Sequence, residues 1–292
     1  MANYKIIVNP AASRGKCAGV TQKLESLCKE RSLDFEMVFT AKAGDATEMA
    51  FGAKNEFECV VAVGGDGTIN EVANGLIGGT AKLGIIPVGT GNDFIRAVNI
   101  PHNLARAVKC LENLNTQKID VGKAGERYFL NGLGIGFDAW VVQETLNIKN
   151  LRGTAVYLYA VLKTIYTYVA PKIKISFNGT TREENLFMIT AGNGTSLGGG
   201  FKLTPNAKVD DGLLDLNIVR NLKKWEIYQN LIGVYAGNHV NLPQVTTART
   251  DWMRVDSEEG FAAHVDGELL SLNLKSLDIQ LLPKALEVVV AD

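Results

Sequence analysis

The sequence lacks an excess of charge of either sign, because 30 lysines and arginines stand against 31 aspartates and glutamates in 292 residues. The net charge of −1 gives no electrostatic argument for a nucleic-acid partner. It also argues against tight anchoring to an anionic membrane through bulk charge. Hydrophobic residues make up 46% and charged residues 21%, which is typical of a globular protein of one large or two ordinary domains.

The sequence also lacks a Cys-x-x-Cys pair. Its four cysteines, Cys17, Cys28, Cys59 and Cys110, all lie in the first 110 residues. Cysteines without metal-site or redox spacing usually behave as small apolar side chains. We therefore expect reduced, mostly buried thiols in a cytoplasmic protein.

Three further patterns are missing. No basic segment followed by an apolar core stands at the N-terminus, so we expect no signal peptide. The longest apolar-rich stretch, residues 154–170, contains Lys163 and four tyrosines and is shorter than a membrane-spanning helix, so we expect no transmembrane segment. The Walker pattern Gly-x-x-x-x-Gly-Lys-Ser/Thr is absent as well.

Glycine, in contrast, is abundant, with 30 residues that cluster in short loops. The most informative loop, residues 64–68 (GGDGT), lies between a buried apolar run at 59–63 and a helix predicted at 68–77. Strand, glycine turn and helix are the local geometry of a phosphate site, because glycine lets the backbone approach a ligand and the helix N-terminus presents N–H groups. Asp66 repels phosphate unless a divalent cation lies between them. The loop therefore predicts metal-assisted nucleotide binding.

Two purely structural explanations of this loop stay open at this point. Thr68 followed by Glu71 matches a capping box. Gly-Asp-Gly is also ordinary turn composition. Either explanation gives the same residues a role in starting a helix without any ligand.

Strands and helices alternate along the first 120 residues, which predicts a parallel sheet with helices on both faces. The predicted strands lie at 4–8, 34–40, 59–63 and 83–87. Ligands of such sheets bind outside the carboxyl ends of the strands. Ser13, Thr40, the turn at 64–70 and Thr90 all follow such ends, so we expect them to converge on one site.

A second polar segment, residues 89–94 (GTGNDF), follows the fourth predicted strand. Thr90 offers a hydroxyl group for phosphate, and Asp93 offers a carboxylate for a metal ion or its waters. The structural alternative is a helix cap in which Thr90 bonds toward Asp93. A further aspartate, Asp120, lies between apolar residues of a strand predicted at 118–122. From the residues alone, its carboxylate could simply point into solvent.

Four ordered segments together resemble a known family: residues 9–13 (NPAAS), 64–71 (GGDGTINE), 89–94 (GTGNDF) and 266–268 (DGE). They resemble the lipid kinases with a diacylglycerol-kinase catalytic domain, which include bacterial diacylglycerol kinases, YegS-like lipid kinases and sphingosine kinases. The resemblance spans essentially the whole chain and departs at Ala12 and Ser13, where the family more often has glycine nearby. NAD kinases and phosphofructokinases carry a related GGDG, so this motif indicates the superfamily and not the substrate.

The resemblance implies transfer of the ATP γ-phosphate to a lipid hydroxyl, with a diacylglycerol-like acceptor and with ATP and Mg²⁺ as cofactors. It implies that Asp66, Asp93 and Asp120 hold Mg²⁺ largely through waters. The residues expected to bind the nucleotide and its metal are Asn9, Pro10, Ala11, Ala12, Ser13, Thr40, Gly64, Gly65, Asp66, Gly67, Thr68, Ile69, Asn70, Thr90, Asp93 and Asp120.

Beyond residue 124, short alternating runs between Gly and Asn turns predict an antiparallel sandwich or barrel. We expect an α/β protein with a doubly wound, Rossmann-like nucleotide-binding domain at residues 1–123 and an antiparallel β-sandwich lipid-substrate domain at 124–282. The family implies that residues 283–292 pack on the first domain. The active site is expected in the cleft between the domains.

Two Asp-Gly turns in this second half carry predicted roles. The resemblance implies that the Asp211 carboxylate and the carbonyl groups of Lys208 and Leu213 bind a structural metal ion. It also implies that Glu268 is the general base, with Asp266 as the second choice. From the residues alone, each Asp-Gly is equally an ordinary hairpin turn.

A helix predicted at 153–169 interleaves tyrosines with aliphatic residues. It either lines a lipid entry groove or rests on a bilayer surface, or it is a core helix, which its lack of a basic face favours. We expect a lipid substrate at the membrane surface, no nucleic acid, and a cytoplasmic protein that can lie peripheral to the inner face of the membrane.

Other functions stay open from the sequence. They are an NAD kinase-like or sphingosine-type kinase and a nucleotide-binding regulator without turnover. The acceptor lipid and the choice of ATP over GTP are also open, as is the oligomeric state, for which a homodimer is the commonest form among proteins.

Overall fold

The computed structural model describes residues 3–12, 17–89, 91–148 and 154–291. The chain divides into two compact units, of which the first comprises Met1–Val121 with Pro283–Asp292 and the second comprises Gly122–Leu282. Two strands, β5 (Thr116–Ala124) and β13 (Glu268–Val289), have residues in both units.

The first unit contains a parallel sheet in the strand order β13–β4–β3–β1–β2. All residues of β3 are buried, as expected of an apolar run in the middle of a parallel sheet. The four predicted strands are confirmed to within one residue at each end. They are β1 (Asn3–Val8), β2 (Asp34–Phe39), β3 (Cys59–Gly64) and β4 (Lys82–Pro87).

Helices cover both faces of this sheet. On one face, α1 and α5 share an apolar cluster with Ile6 and Val61. The alternate residues Ile7 and Val60 point to the other face, where they are buried and where α2 and α3 contact β1, β3 and β4. The helices are α1 (Cys17–Glu30), α2 (Asp45–Ala53), α3 (Asp66–Leu76), α4 (Asp93–Ala97) and α5 (Leu104–Asn113).

The strand order of this sheet reverses at β1. The chain places β2 on one side of β1 and β3 on the other side. The loop after β1 therefore leads to helix α1 on one face of the sheet, and the loop after β3 leads to helix α3 on the other face. Sheets of this kind bind ligands in the crevice at such a reversal.

The second unit is an antiparallel β structure in the strand order β11–β10–β9–β7–β12–β13. Both β7 and β8 pair with β9 and with β12, so this part of the sheet closes on itself around an apolar core. Its remaining strands are β6 (Arg127–Phe129), β7 (Gly132–Gly136), β8 (Lys172–Phe177), β9 (Thr180–Gly192), β10 (Leu214–Arg220), β11 (Val245–Thr250) and β12 (Trp252–Val265).

Helices α6 (Phe137–Asn147), α7 (Thr154–Thr167) and α8 (Lys224–Ala236) pack on a separate apolar cluster of the second unit. A short 3-10 helix, Asn238–Asn241, follows α8. Among the described residues, no helix has both the length and the apolar character needed to cross a bilayer.

Four expectations from the sequence for the second half, namely no helix at 224–236 and single strands at 127–136, 245–255 and 274–281, were wrong in detail. The sequence indicated no helix at residues 224–236, where α8 lies. The run at 245–255 is divided at Asp251 between β11 and β12, and the run at 127–136 is divided between β6 and β7. The run at 274–281 is the middle of β13, which is 22 residues long.

Candidate active site

Asp66 joins the turn after β3 to the segment after β4. Its Oδ2 accepts a hydrogen bond from the backbone N–H of Asn92 at 2.7 Å, and its Oδ1 accepts one from Asp93 at 2.8 Å. Asn92 lies in the left-handed region, with φ of 53°, which asparagine tolerates better than most residues. The carboxylate therefore fixes one glycine-rich segment on the other.

Two glycines allow these segments to touch. A Cβ atom on Gly89 would lie 2.6 Å from the Cα of Gly65. A Cβ atom on Gly91 would lie 2.7 Å from Oδ2 of Asp66. Both distances are too short for a side chain, so the contact between the two segments requires glycine at positions 89 and 91.

Helix α3 begins at Asp66, with Gly65 as its N-cap and without a side-chain hydrogen bond to its first turn. The capping-box alternative is therefore wrong, because Thr68 lies inside the helix and Glu71 Oε1 instead accepts a hydrogen bond from Gly44 N–H at 3.1 Å. A helix N-terminus without a side-chain cap suits the phosphate oxygens of a nucleotide.

Asn9 connects the loop after β1 to α3. Its Nδ2 donates to Thr68 Oγ1 at 3.0 Å, and its Oδ1 accepts from Ala11 N–H at 3.0 Å. Its own N–H donates to the Val63 carbonyl at 3.1 Å. The loop after β1 and the glycine turn after β3 thus form one connected region, in which Pro10 and Ala11 are exposed.

The remaining predicted nucleotide residues differ in their surroundings. Thr40 is buried after β2, where its N–H donates to the Val8 carbonyl at 3.0 Å. Ile69 and Asn70 are buried in α3, and Asn70 Oδ1 accepts from Asn74 Nδ2 at 3.0 Å. Ser13 and Thr90 lie outside the described residues.

The two other predicted metal carboxylates have protein partners. Asp93 is buried and forms an ion pair with Arg96 at 2.7 Å. Asp120 is fully buried, and its Oδ1 accepts from Lys284 N–H at 2.7 Å, which ties β5 to the returning C-terminal segment. Among the described residues, no group of three or more His, Cys, Asp or Glu side chains is arranged to hold a metal ion directly.

Asp266 anchors the hairpin turn between β12 and β13. Its carboxylate accepts three backbone hydrogen bonds, from Leu130 at 2.7 Å and from Asn131 and Gly132 at 2.9 Å each. Asp266 itself lies in the left-handed region, with φ of 47°. These contacts give Asp266 a positioning role beside Glu268, and its predicted catalytic role stays a prediction.

Glu268 follows this turn at the start of β13. Its Oε2 forms an ion pair with Arg127 at 2.6 Å, and its side chain is 37% exposed. Arg127 thus orients a carboxylate that is partly exposed. Arg127 was not predicted, because it lies 141 residues from Glu268 in the sequence.

A buried pair lies next to the same turn. His264 Nδ1 accepts a hydrogen bond from Gly267 N–H at 3.3 Å, and its Nε2 lies 3.4 Å from Asp138 Oδ2. Gly134 makes the room, since a Cβ there would overlap the Asp138 carboxylate. His264 belongs to the core of the second unit, because only 4% of it is exposed.

The turn that was predicted to bind a structural metal ion is already contacted by a positively charged side chain, that of Arg249. The Asp211 carboxylate forms an ion pair with Arg249 and accepts a hydrogen bond from Leu213 N–H at 3.2 Å. Arg249 Nε also lies 3.5 Å from Asp215 Oδ2. Burial raises the pKa of the Asp215 carboxyl above its ordinary value, although the Arg249 guanidinium acts in the opposite direction. In this arrangement the Asp211 carboxylate is paired with Arg249, and the metal site at Lys208, Asp211 and Leu213 stays a prediction.

Comparison with known proteins assigns a family to each part of the chain. Residues 3–124 match the family described as the diacylglycerol kinase catalytic domain. Residues 132–290 match the family described as the YegS C-terminal NAD kinase beta sandwich-like domain. The α/β architecture with a β-rich C-terminal part agrees with these two matches.

Relatives of similar length resemble the chain throughout. It is 32% identical to a diacylglycerol kinase of Staphylococcus carnosus over 90% of this chain and 88% of the relative. It is 32% identical to a diacylglycerol kinase of Bacillus subtilis over 92% of this chain and 90% of the relative. A crystal structure of a diacylglycerol kinase from Bacillus anthracis superimposes with a TM-score of 0.76 at 26% identity, covering 99% of this chain and 97% of that one. This chain therefore belongs to the diacylglycerol kinase family of lipid kinases.

Proposed function

We propose that this protein transfers the γ-phosphate of ATP to a lipid hydroxyl, and that diacylglycerol, which gives its relatives their name, is the acceptor. The observation that carries the proposal is the Asp66 carboxylate, which joins the turn after β3 to the segment after β4. In this proposal the parallel sheet acts as a Rossmann-like nucleotide-binding domain.

The first unit supplies the nucleotide contacts in this proposal. The N–H groups of the first turn of α3 bind phosphate oxygens, and Asn9 holds Thr68 in place through its side-chain amide. Mg²⁺ that enters with ATP neutralises phosphate charge. Because Asp66 and Asp120 already accept backbone hydrogen bonds, we assign the contacts of Asp66, Asp93 and Asp120 to this ion through water molecules.

Glu268 acts as the general base that takes the proton from the lipid hydroxyl. Its ion pair with Arg127 orients the carboxylate, and its partial exposure leaves it accessible to an acceptor. A positioned carboxylate base contributes about 10² to 10⁴ in rate. Asp266 supports this role by holding the turn that precedes Glu268.

Because diacylglycerol resides in a bilayer, the proposal places the protein at a membrane surface. The nucleotide is supplied from the cytoplasm, so we assign the protein to the inner face of the membrane, as a peripheral protein. A homodimer stays a prediction.

The proposal is tested with γ-labelled ATP, Mg²⁺ and a panel of lipids in mixed micelles, with NAD as a control acceptor. We expect label in diacylglycerol, and loss of that label in the Asp66→Ala variant. If only NAD were labelled, the proposed lipid kinase activity would be wrong and the protein would be an NAD kinase. ATP binding without label in any acceptor would favour a regulator without turnover.

A further inference from the structure

The turn that precedes Glu268 is held from two sides. Its central residues, Asp266 and Gly267, both lie in the left-handed region, with φ angles of 47° and 83°, as a tight two-residue hairpin turn requires. On one side, the Asp266 carboxylate accepts its three backbone hydrogen bonds. On the other side, the Gly267 N–H donates to His264 Nδ1 at 3.3 Å. The residue next to Glu268 is therefore fixed by a histidine ring.

This hydrogen bond determines where the proton of the His264 ring lies. Nδ1 accepts from a backbone N–H, so it carries no proton itself. A neutral imidazole has one N–H group, which must then be at Nε2. Nε2 lies 3.4 Å from Asp138 Oδ2, so the ring proton faces a carboxylate.

The two oxygen atoms of Asp138 have different surroundings. Only 7% of this residue is exposed, and its Oδ1 accepts a hydrogen bond from the Ala139 N–H at 2.9 Å. Its Oδ2 is buried without a hydrogen-bond partner in the described part of the chain, apart from the His264 ring that faces it. Because an unpaired buried oxygen is unfavourable, Asp138 stabilises the proton at Nε2 of His264.

The backbone makes room for this pair at Gly134, which lies opposite His264 in the ladder between β7 and β12. A Cβ atom on Gly134 would lie 1.8 Å from Asp138 Oδ2 and 2.4 Å from His264 Nε2. A side chain at this position would therefore separate the carboxylate from the ring. Burial and the charge of Asp138 raise the pKa of Tyr168, so the nearby phenol stays neutral.

We propose that Asp138 and His264 are positioning residues for the general base. Asp138 keeps the ring proton at Nε2, Nδ1 is thereby kept as the acceptor for the Gly267 N–H, and this bond fixes the turn from which Glu268 projects. Neither side chain contacts the lipid acceptor, because each acts through Gly267. The inference rests on the proposed function, since Glu268 is a base only in that reaction.

Two variants of His264 separate the roles of its two ring nitrogens. In His264→Asn the side-chain oxygen takes the place of Nδ1 and accepts from Gly267, but the side chain is too short to reach Asp138. In His264→Gln the amide takes the place of Nε2 and contacts Asp138, but the acceptor for Gly267 is lost. We expect kcat within about threefold of the wild type for His264→Asn and about ten- to a hundredfold lower for His264→Gln, because a small displacement of a reacting group costs up to about 10² in rate. The KM for ATP should be unchanged in both variants.

Asp138→Asn tests the position of the ring proton. Its Oδ1 keeps the hydrogen bond from Ala139 N–H, so its Nδ2 faces His264 and donates to Nε2. The ring proton then moves to Nδ1, where it opposes the Gly267 N–H. We expect kcat to fall about ten- to a hundredfold, the consequence of a wrong histidine tautomer beside a substituted aspartate. In the His264→Asn background the same substitution should cause no further loss in kcat, because no ring remains.

His239→Asn is the control for the loss of a buried histidine. His239 is 5% exposed in the same unit, and its Nε2 lies 3.1 Å from the Leu203 carbonyl. This variant should keep its kcat, and melting temperatures verify that every variant is folded. Equal kcat values for His264→Asn and His264→Gln would overturn the proposal, as would an Asp138→Asn loss that persists in the His264→Asn background.

Hydrogen exchange of the backbone at residues 264–269 separates this inference from the proposed function, because it needs no substrate. Exchange in the turn should be faster in His264→Gln and Asp138→Asn than in the wild type and His264→Asn, and ¹⁵N spectra of the wild type should show the Nε2–H tautomer of His264. If the wild type phosphorylates no lipid while these measurements come out as expected, the proposed function fails and the anchoring of the turn stands. A labelled lipid with wild-type exchange and kcat in every variant would keep the proposed function and remove the positioning role.

Discussion

Asp66 and Asp266 use the same arrangement at two distant places in the chain. Each carboxylate accepts backbone N–H groups from a second segment, Asp66 from residues 92 and 93 and Asp266 from residues 130 to 132. A charged acceptor with several backbone donors is among the stronger hydrogen-bonded groups in proteins. Both aspartates therefore determine where neighbouring functional groups lie.

Asp266→Ala should destabilise the second unit more than it should affect the chemistry. The substitution leaves three backbone donors without their acceptor, at about 1–3 kcal/mol for each donor that water does not reach. Urea unfolding measures the loss. Glu268→Gln is the control, because it keeps the turn and should leave the unfolding midpoint near that of the wild type. An Asp266→Ala variant of wild-type stability would contradict the anchoring role.

The residue types of the site were predictable, but their partners were not. Small and polar residues after apolar strands indicated a site because carboxyl ends of parallel strands meet at one edge. The bond from Asn92 to Asp66 joins residues 26 apart, and Arg249 reaches Asp211 from 38 residues away. No local pattern encodes contacts over such separations. The assignments of nucleotide, metal and base therefore remain predictions that the geometry supports to different degrees.

Helices α2 and α3 illustrate how one glycine permits close packing. A Cβ atom on Gly75 would lie 2.7 Å from Ala50 Cβ and would overlap the Thr47 carbonyl. Gly75→Ala should destabilise the protein, because overpacking costs about 1–3 kcal/mol and exceeds the helix-propensity gain of about 1 kcal/mol. Gly52→Ala is the control, since its Cβ meets nothing within 4 Å and should stabilise. Equal urea midpoints for the two variants would be inconsistent with this packing.

The turn before β10 should respond to Mg²⁺ only after Arg249 is removed. Arg249→Gln leaves Asp211 and Asp215 without their cation, so Mg²⁺ should then raise the melting temperature. The wild type and an Arg254→Gln control, which breaks ion pairs with Asp256 and Asp278, should not respond. A wild-type melting temperature that rises with Mg²⁺ would favour the metal site that the family implies.

Element types were easiest to predict where one burial pattern held. The continuous apolar run of β3 predicted a central parallel strand, and the structure has one. Helix α8 was missed because Ile227 and Leu231 face the core while Trp225 and Ile232 are exposed, which leaves no polar face to reveal a helical period. The sequence predicted shorter, separate strands in place of the long β12 and β13, because bulges shift the register of their pairing between Asp256 and Phe261.

At the scale of the whole molecule, each unit matches a different family. The catalytic-domain match covers strands β1 to β4 of the parallel sheet and the Asp66 turn, and the β sandwich-like match covers the Glu268 hairpin and helices α6 to α8. The proposed reaction needs both, since the first unit supplies the nucleotide contacts and the second supplies the base. This division explains why no single segment of the sequence was sufficient to identify the reaction.

Stability should fall in alkaline solution because of buried thiols in the first unit. Burial raises the pKa of Cys28 from 9.0 to about 11 and that of Cys59 from 9.0 to about 12. The unfolded chain releases these protons first, so the stabilisation is complete below pH 9 and decreases above it, by about 1.4 kcal/mol per thiol per pH unit. Urea midpoints between pH 8 and 10 measure the slope, which Cys59→Ala should reduce. A midpoint that is constant over this range would contradict the prediction.

The most direct measurement is transfer of the labelled γ-phosphate from ATP to diacylglycerol by the wild type and by Glu268→Gln, with nucleotide affinity measured in parallel. We expect the wild type to label the lipid and the variant to lose about 10² to 10⁴ in rate while it binds ATP equally well. Near-normal turnover by the variant would remove Glu268 as the base, and a wild type that labels no lipid would contradict the proposed lipid kinase activity.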